Sequence, residues 1–179
     1  MRFRSKATLA AFALLAAVLA SPAEAFDGHR QGFVLGFGAG YGGLNTPQFS
    51  PDFSNGIATR LEIGVGLDDR WILHYSGRQI LNLTGNVSYT QVFPMVAATY
   101  YLKDETRSPY LTGGGGVGFF TGFSSDDISG GFTLFGGAGY EFAPHWRVEA
   151  DYVNTLDTSG GAGPESTHTL LVTVGALAY

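Results

Sequence analysis

Large apolar residues alternate with glycines along residues 32–41. The large residues are Phe33, Leu35, Phe37 and Tyr41, and the glycines are Gly36, Gly38 and Gly40. Successive side chains of a strand point to opposite faces, so this segment has one aromatic face and one nearly bare face. Such a pattern is typical of a strand whose outer face meets lipid and whose inner face meets a narrow, crowded lumen.

The same kind of alternation recurs in seven further segments that are separated by polar stretches. The eight predicted strands cover residues 33–41, 57–67, 71–80, 91–102, 110–119, 131–142, 146–152 and 168–179. Repeated segments of about ten alternating residues are characteristic of membrane barrels. Pro94 lies near the start of the fourth strand and predicts an irregular beginning there. We therefore predict an all-β fold, an eight-stranded antiparallel up-and-down transmembrane β-barrel.

The connections between the predicted strands alternate in length. Short links follow the even strands, at 68–70, 103–108 and 143–145, and longer links follow the odd strands, at 42–56, 81–90, 121–130 and 153–167. Membrane barrels have short periplasmic turns and longer outer loops. The predicted outer loops carry acidic but no basic residues: Asp52, Asp126, Asp127, Asp157 and Glu165. Binding of a polyanion through these loops is therefore not expected.

Charged residues within the strands fall almost entirely on one face. They are Arg60, Glu62, Arg78, Glu141, Arg147, Glu149 and Asp151, joined by His74. A basic group facing lipid near the midplane would cost on the order of 2 to 4 kcal/mol, so this face must point inward. Eight strands leave a lumen that side chains can just fill. Because buried charges need partners, we predict an internal ion-pair network that plugs the barrel. The alternative is a polar path for protons or small solutes.

Aromatic residues cluster next to the short turns. Trp71 and Trp146 each follow such a turn directly, and Phe142 and Tyr110 lie close to one. This placement predicts an aromatic girdle at one membrane interface. A ligand-stacking platform is the competing interpretation, but it would require a set of polar partners nearby.

The first 25 residues read as a secretory signal peptide. Residues 1–6 are basic, residues 7–20 are apolar, and an Ala-x-Ala site predicts cleavage after Ala25. The apolar run is shorter than the roughly 20 residues of a membrane-spanning helix. Residues 26–179 then form a single barrel domain. Loss of Arg2, Arg4, Lys6 and Glu24 changes the net charge from −5 to −7. An acidic domain argues against nucleic acid as a partner.

Candidate catalytic and metal-binding groups are few. The chain has no cysteine, which excludes disulfides and thiolate metal sites. His29, His145 and His168 lie too far apart in the predicted fold to propose a metal site. The glycine runs lack the Gly-Lys-Ser/Thr of a phosphate loop. We expect neither a metal nor a cofactor.

The segment 74–76 is similar to the His-x-Ser motif of lipid A deacylases, in which a carboxylate orients the histidine. The asparagine that follows the serine in that family is Gly77 here. The motif also lies in the third predicted strand and on the lumen face, away from lipid. A lipid A-modifying hydrolase is therefore the less favoured alternative, and we predict that the protein is not an enzyme.

Four glycine- and aromatic-rich stretches carry a resemblance to a known family, at 36–43, 109–116, 136–142 and 146–152. In these stretches the chain resembles small OmpA/OmpX-like outer-membrane barrels. The resemblance implies the outer membrane of a Gram-negative bacterium, contact with lipid and lipopolysaccharide, insertion by the barrel-assembly machinery, and a monomer. Tyr179 matches the closing aromatic that the machinery recognises, but Leu177 stands where a second aromatic is common.

The function that this resemblance implies is structural or one of surface interaction, without catalysis. A narrow channel or transporter for small solutes is the alternative.

Overall fold

The computed structural model describes residues 28–46, 50–82, 89–122, 128–157 and 165–179, which form eight antiparallel strands. The strands are β1 (Gly32–Thr46), β2 (Ser50–Gly66), β3 (Trp71–Asn82), β4 (Tyr89–Tyr101), β5 (Pro109–Gly122), β6 (Ile128–Ala143), β7 (Trp146–Asp157) and β8 (Glu165–Ala178). Each pairs with its neighbours in the chain, and β8 pairs with β1. The predicted eight-stranded up-and-down barrel is confirmed. The predicted signal peptide, residues 1–25, lies outside the described residues.

The seam between β1 and β8 closes the sheet. It runs in continuous register from Leu35 opposite Ala178 to Asn45 opposite His168. A closed ladder pairs the backbone N–H and C=O groups of every strand, which is the requirement for a sheet surrounded by lipid. Within the described residues there is no helix with the length and apolar character needed to cross a membrane.

The strands extend well into the regions predicted to be long loops, so that part of the prediction is wrong. Gly42 pairs with Gly56 and Gly43 with Asn55, inside the predicted first loop. Backbone pairing does not need apolar side chains, so polar, glycine-rich sequence can prolong the hairpins. Of the acidic residues assigned to loops, Asp52, Asp157 and Glu165 fall in strands, and Asp126 and Asp127 lie outside the described residues.

The predicted irregularity of β4 is limited to its ladder with β5, in which Phe93 and Pro94 have no partner. Pro94 lies inside the strand and not at its start. It pairs with Gly77 of β3, and the ladder with β5 passes from Val92 opposite Phe119 to Met95 opposite Gly116 without a shift in register. A proline removes only one backbone donor. The pairs on either side therefore hold the strand in place.

The outer face carries the large apolar residues of the alternating pattern. Phe33, Leu35, Phe37 and Tyr41 of β1 are all exposed on this face. The inner face packs two apolar layers. The layer nearer to the turns at 67–70, 102–108 and 144–145, here called the turn end, contains Val34, Ile72, Tyr101, Tyr110, Leu177 and Tyr179. The layer nearer to the opposite, loop end contains Ala58, Ile80, Phe93, Met95, Ala97, Phe135, Val153 and Leu171.

Two glycines of β6 have opposite surroundings. A methyl group added to inward-facing Gly139 would overlap the buried ring of Tyr110. A methyl group added to outward-facing Gly136 would meet nothing within 4 Å. The first glycine therefore makes room inside the barrel, and the second has no such packing role within the chain.

This difference predicts the effect of two matched substitutions. We expect Gly139→Ala to destabilise the folded barrel by about 1 to 3 kcal/mol, because the added methyl overpacks the interior. Gly136→Ala is expected to be neutral, or stabilising by up to about 1 kcal/mol, because alanine restricts the unfolded chain more than glycine. Urea unfolding of both variants in lipid vesicles, followed by gel mobility of the folded form, measures the difference. Equal loss of stability in the two variants would contradict the packing role of Gly139.

Candidate functional site

The eight charged and histidine residues predicted for the lumen are all buried inside the barrel. Each has at most 4% of its surface exposed: Arg60, Glu62, His74, Arg78, Glu141, Arg147, Glu149 and Asp151. They lie on β2, β3, β6 and β7, at positions that alternate with outward-facing residues. The strand alternation thus brings them together in the interior.

Six of these residues form a continuous network, here called the central ion network: Arg60, Arg78, Arg147, Glu62, Glu149 and Asp151. Arg78 is the best-bonded member. Its Nη2 lies 2.9 Å from Oε1 of Glu149, and its Nε and Nη2 lie 3.0 and 3.2 Å from the two carboxylate oxygens of Asp151. The guanidinium of Arg78 also lies over the ring of Phe135, with 3.8 Å between Cζ and the ring centroid. A planar guanidinium group can donate two parallel hydrogen bonds to one carboxylate, as Arg78 does to Asp151.

The other two arginines attach to the same carboxylates. Glu149 pairs with Arg60 as well as with Arg78, and Glu62 pairs with Arg147. Nε of Arg60 lies 3.7 Å from Oε1 of Glu62, which joins the two halves. Three positive and three negative groups therefore compensate one another. Such compensation is required because an unpaired buried charge costs several kcal/mol.

His74 borders this network and bonds mainly to neutral groups. Its Nε2 lies 3.0 Å from Oγ1 of Thr99, and its Nδ1 lies 3.3 Å from the carbonyl oxygen of Tyr75. The carboxylate of Glu62 is 3.9 Å away. Ser76 accepts a hydrogen bond from Arg78 and is fully buried. His74 and Ser76 of the His-x-Ser segment therefore both face the packed lumen.

Glu141 belongs to a second cluster at the turn end. It pairs with Arg30, whose Nη2 lies 2.8 Å from Oε2 of Glu141. Arg30 precedes β1 and lies outside the alternating segments, so the alternating pattern does not predict that it is buried in the barrel. One signal could have revealed it: three strand arginines leave one of the four strand carboxylates without a cation. With Arg30 included, the described residues contain four buried arginines and four buried carboxylates.

Three of the four predicted girdle aromatics lie on the outer face at the turn end. Trp71, Phe142 and Trp146 are all exposed, and Trp71 packs against Tyr100 with ring centroids 4.7 Å apart. The assignment of Tyr110 to the girdle is wrong. Tyr110 is 1% exposed and points inward, because Leu111 takes the outward position.

Tyr179, the predicted assembly signal, also points into the barrel. Its hydroxyl donates to Oε1 of Glu141 at 2.7 Å, and its ring centroid lies 4.5 Å from that of His145. The last residue of the chain is thus part of the turn-end cluster. Its role in assembly stays a prediction.

The central ion network lies between the two apolar layers of the lumen. Met95, Phe93 and Phe135 belong to the layer on its loop side, and Ile72, Leu177 and Tyr110 belong to the layer on its turn side. Apolar packing on both sides gives these charged groups surroundings of low polarity, in which electrostatic pairing is stronger. Among the residues that the structure describes, no group of three or more histidine, aspartate or glutamate side chains could hold a metal ion.

The closed barrel, its apolar outer face and its polar interior define an outer-membrane β-barrel protein. Residues 10–176 match the family described as outer membrane protein beta-barrel domain, and the chain belongs to this family. No curated protein matches the chain.

Solved structures show the same fold at low sequence identity. Neisserial surface protein A is 16% identical with a TM-score of 0.62, and the match covers 84% of this chain and 98% of that one. The attachment invasion locus protein Ail of Yersinia pestis is 13% identical with a TM-score of 0.55, over 82% and 99% of the two chains. OprG from Pseudomonas aeruginosa is 14% identical with a TM-score of 0.51, over 86% and 99%.

The pairing in the central ion network predicts a large effect of removing one charge. We expect Glu149→Gln to destabilise the barrel by about 3 to 5 kcal/mol, because Arg60 and Arg78 lose a shared buried partner. Asp104→Asn is the control, since Asp104 pairs with Arg70 at 3.7 Å on the exposed turn end. Loss of such an exposed pair should leave the urea midpoint close to that of the wild-type protein, because solvent screens surface ion pairs. Urea midpoints in lipid vesicles compare the two variants, and similar midpoints would contradict a structural role for Glu149.

Proposed function

We propose that this protein is a sealed barrel of the Gram-negative outer membrane with a structural or surface-interaction role and no catalytic activity. One observation carries the proposal: the charged side chains that face the lumen are buried and paired with one another. A water-filled pore would leave such side chains accessible to solvent. The two apolar layers add a second and a third barrier along the same axis.

The absence of catalysis is part of this proposal. The His-x-Ser segment is the strongest catalytic candidate in the sequence, and its two side chains are engaged by Thr99 and Arg78. Their position inside the barrel supports a packing role. A lipid-modifying enzyme needs its nucleophile and base on the side that meets lipid.

The proposed interaction partners follow from the two ends and the outer wall. The apolar wall meets membrane lipid, including lipopolysaccharide, and the exposed Trp71 and Trp146 anchor its turn end at an interface. The predicted signal peptide would direct export, and Tyr179 would be read by the barrel-assembly machinery before it folds into the interior. The barrel closes on itself, which supports a monomer.

A surface-binding role would use the loop end. Ail has been solved in complex with the heparin analogue sucrose octasulfate, a polyanion. The loop segments of the present chain contain no lysine or arginine. We therefore propose a partner that is not a polyanion. Nucleic acid is excluded from the proposal on the same electrostatic ground.

The sealed lumen predicts the electrical behaviour of the purified protein. When the full barrel is reconstituted in a planar bilayer, we expect no steady conductance above that of protein-free lipid, because no continuous water path crosses the apolar layers. Gel mobility before and after heating verifies that the inserted protein is folded. Reproducible single-channel steps from the folded protein would contradict the proposal and favour a narrow channel.

A further inference from the structure

Arg30 is held at the turn-end mouth of the barrel although it belongs to no strand. Its surface is 1% exposed. Its backbone N–H donates to Oδ1 of Asp69 at 3.0 Å, which fixes the chain just before β1. The side chain then enters the barrel from the turn end.

The guanidinium group of Arg30 is bonded on every side. Its Nε and Nη2 donate to Oε2 of Glu141 at 3.0 and 2.8 Å. Nη2 also donates to the carbonyl oxygen of Glu105 at 2.8 Å, and Nη1 donates to that of Asp69 at 2.9 Å. The carbonyl oxygens of Lys103 and Asp104 lie 3.4 and 3.5 Å from Nη1. These acceptors match the five N–H donors of a guanidinium, which diverge in one plane.

An aromatic surface covers one face of the same group. Cζ of Arg30 lies 3.8 Å from the ring centroid of Tyr101 and 5.9 Å from that of Tyr179. Stacking on an aromatic face favours a flat, delocalised cation over a compact ammonium. In-plane acceptors and a stacked ring together are the recognition elements of a guanidinium receptor.

We propose that the turn end of this barrel is a guanidinium-binding site that the chain fills with its own Arg30. The acceptors and the rings come from the turns at 67–70 and 102–108, from β4 and β6, and from the last residue, so every part of the site lies outside the segment that carries Arg30. The ligand class is a planar guanidinium cation. The inference goes beyond the sealed-barrel proposal, because it holds whether or not the lumen conducts.

Occupancy of the site joins parts of the chain that are far apart in sequence. Glu141 accepts hydrogen bonds from Arg30 near one end of the barrel sequence and from Tyr179 at the other. The carbonyl contacts attach two turns to the same cation. The bound guanidinium therefore holds the turn end together, and an empty site would loosen the turn at 102–108 first.

Removal of the side chain and addition of a free ligand test this proposal. In Arg30→Ala we expect amide hydrogen exchange of residues 102–108 to become about tenfold faster or more, because the carbonyls lose their charged donor. Methylguanidinium at millimolar concentration should restore slow exchange, and methylammonium at the same concentration should not. Wild-type protein should respond to neither. Arg70→Ala is the matched control: its pair with Asp104 at 3.7 Å also contacts this turn, but its loss leaves the site filled, so methylguanidinium should not change the exchange of this variant.

A second variant tests the acceptors of the proposed site even where Arg30→Ala fails to fold. In Glu141→Gln the cation remains but its carboxylate is lost, so exchange at 102–108 should rise, and methylguanidinium should give no protection. Equal effects of methylguanidinium and methylammonium on Arg30→Ala would overturn the proposal. So would unchanged exchange in Glu141→Gln, or protection of Glu141→Gln by methylguanidinium.

Discussion

Charge neutrality among the buried side chains of the barrel interior is the constraint on which the other features depend. Four arginines and four carboxylates are buried in the described part of the chain, and each arginine lies against at least one carboxylate. The interior of an eight-stranded barrel is just wide enough for side chains to fill. The charged groups inside it are paired with groups of opposite charge. Apolar layers lie on either side of these pairs.

Glycine has two different roles in this chain. Gly139 faces inward and leaves space for the ring of Tyr110. The ring centroids of Tyr110 and Tyr101 lie 5.0 Å apart, and both residues belong to the apolar layer on the turn side of the central ion network. Gly136 faces outward into open space and does not serve interior packing. The abundance of glycine in the strands thus cannot be explained by the arginines of the lumen alone.

The sequence was sufficient for the architecture because one physical rule repeats in every strand. Alternation places Arg60 and Glu149 inside and Phe37 and Trp146 outside, and lipid permits no other arrangement. Three features lay beyond this rule. Arg30 lies outside any strand. Tyr110 directly follows a turn, so no earlier residue of its strand indicates which face it lies on. The hairpins are prolonged by backbone pairing, which leaves no apolar pattern in the sequence. The shear of the barrel decides which charged residues meet in the interior. Because the sequence alone does not give the shear, the individual ion pairs could not be predicted.

The side-chain hydrogen exchange of the arginines distinguishes a sealed barrel interior from a hydrated one. In folded protein reconstituted in lipid, nuclear magnetic resonance can follow the Nε–H protons of individual arginines. A sealed interior predicts that Arg30, Arg60, Arg78 and Arg147 exchange slowly with water, whereas the exposed Arg70 and Arg107 exchange rapidly. Exchange of Arg60 and Arg78 as fast as that of Arg70 would show a hydrated lumen and rule out a sealed barrel.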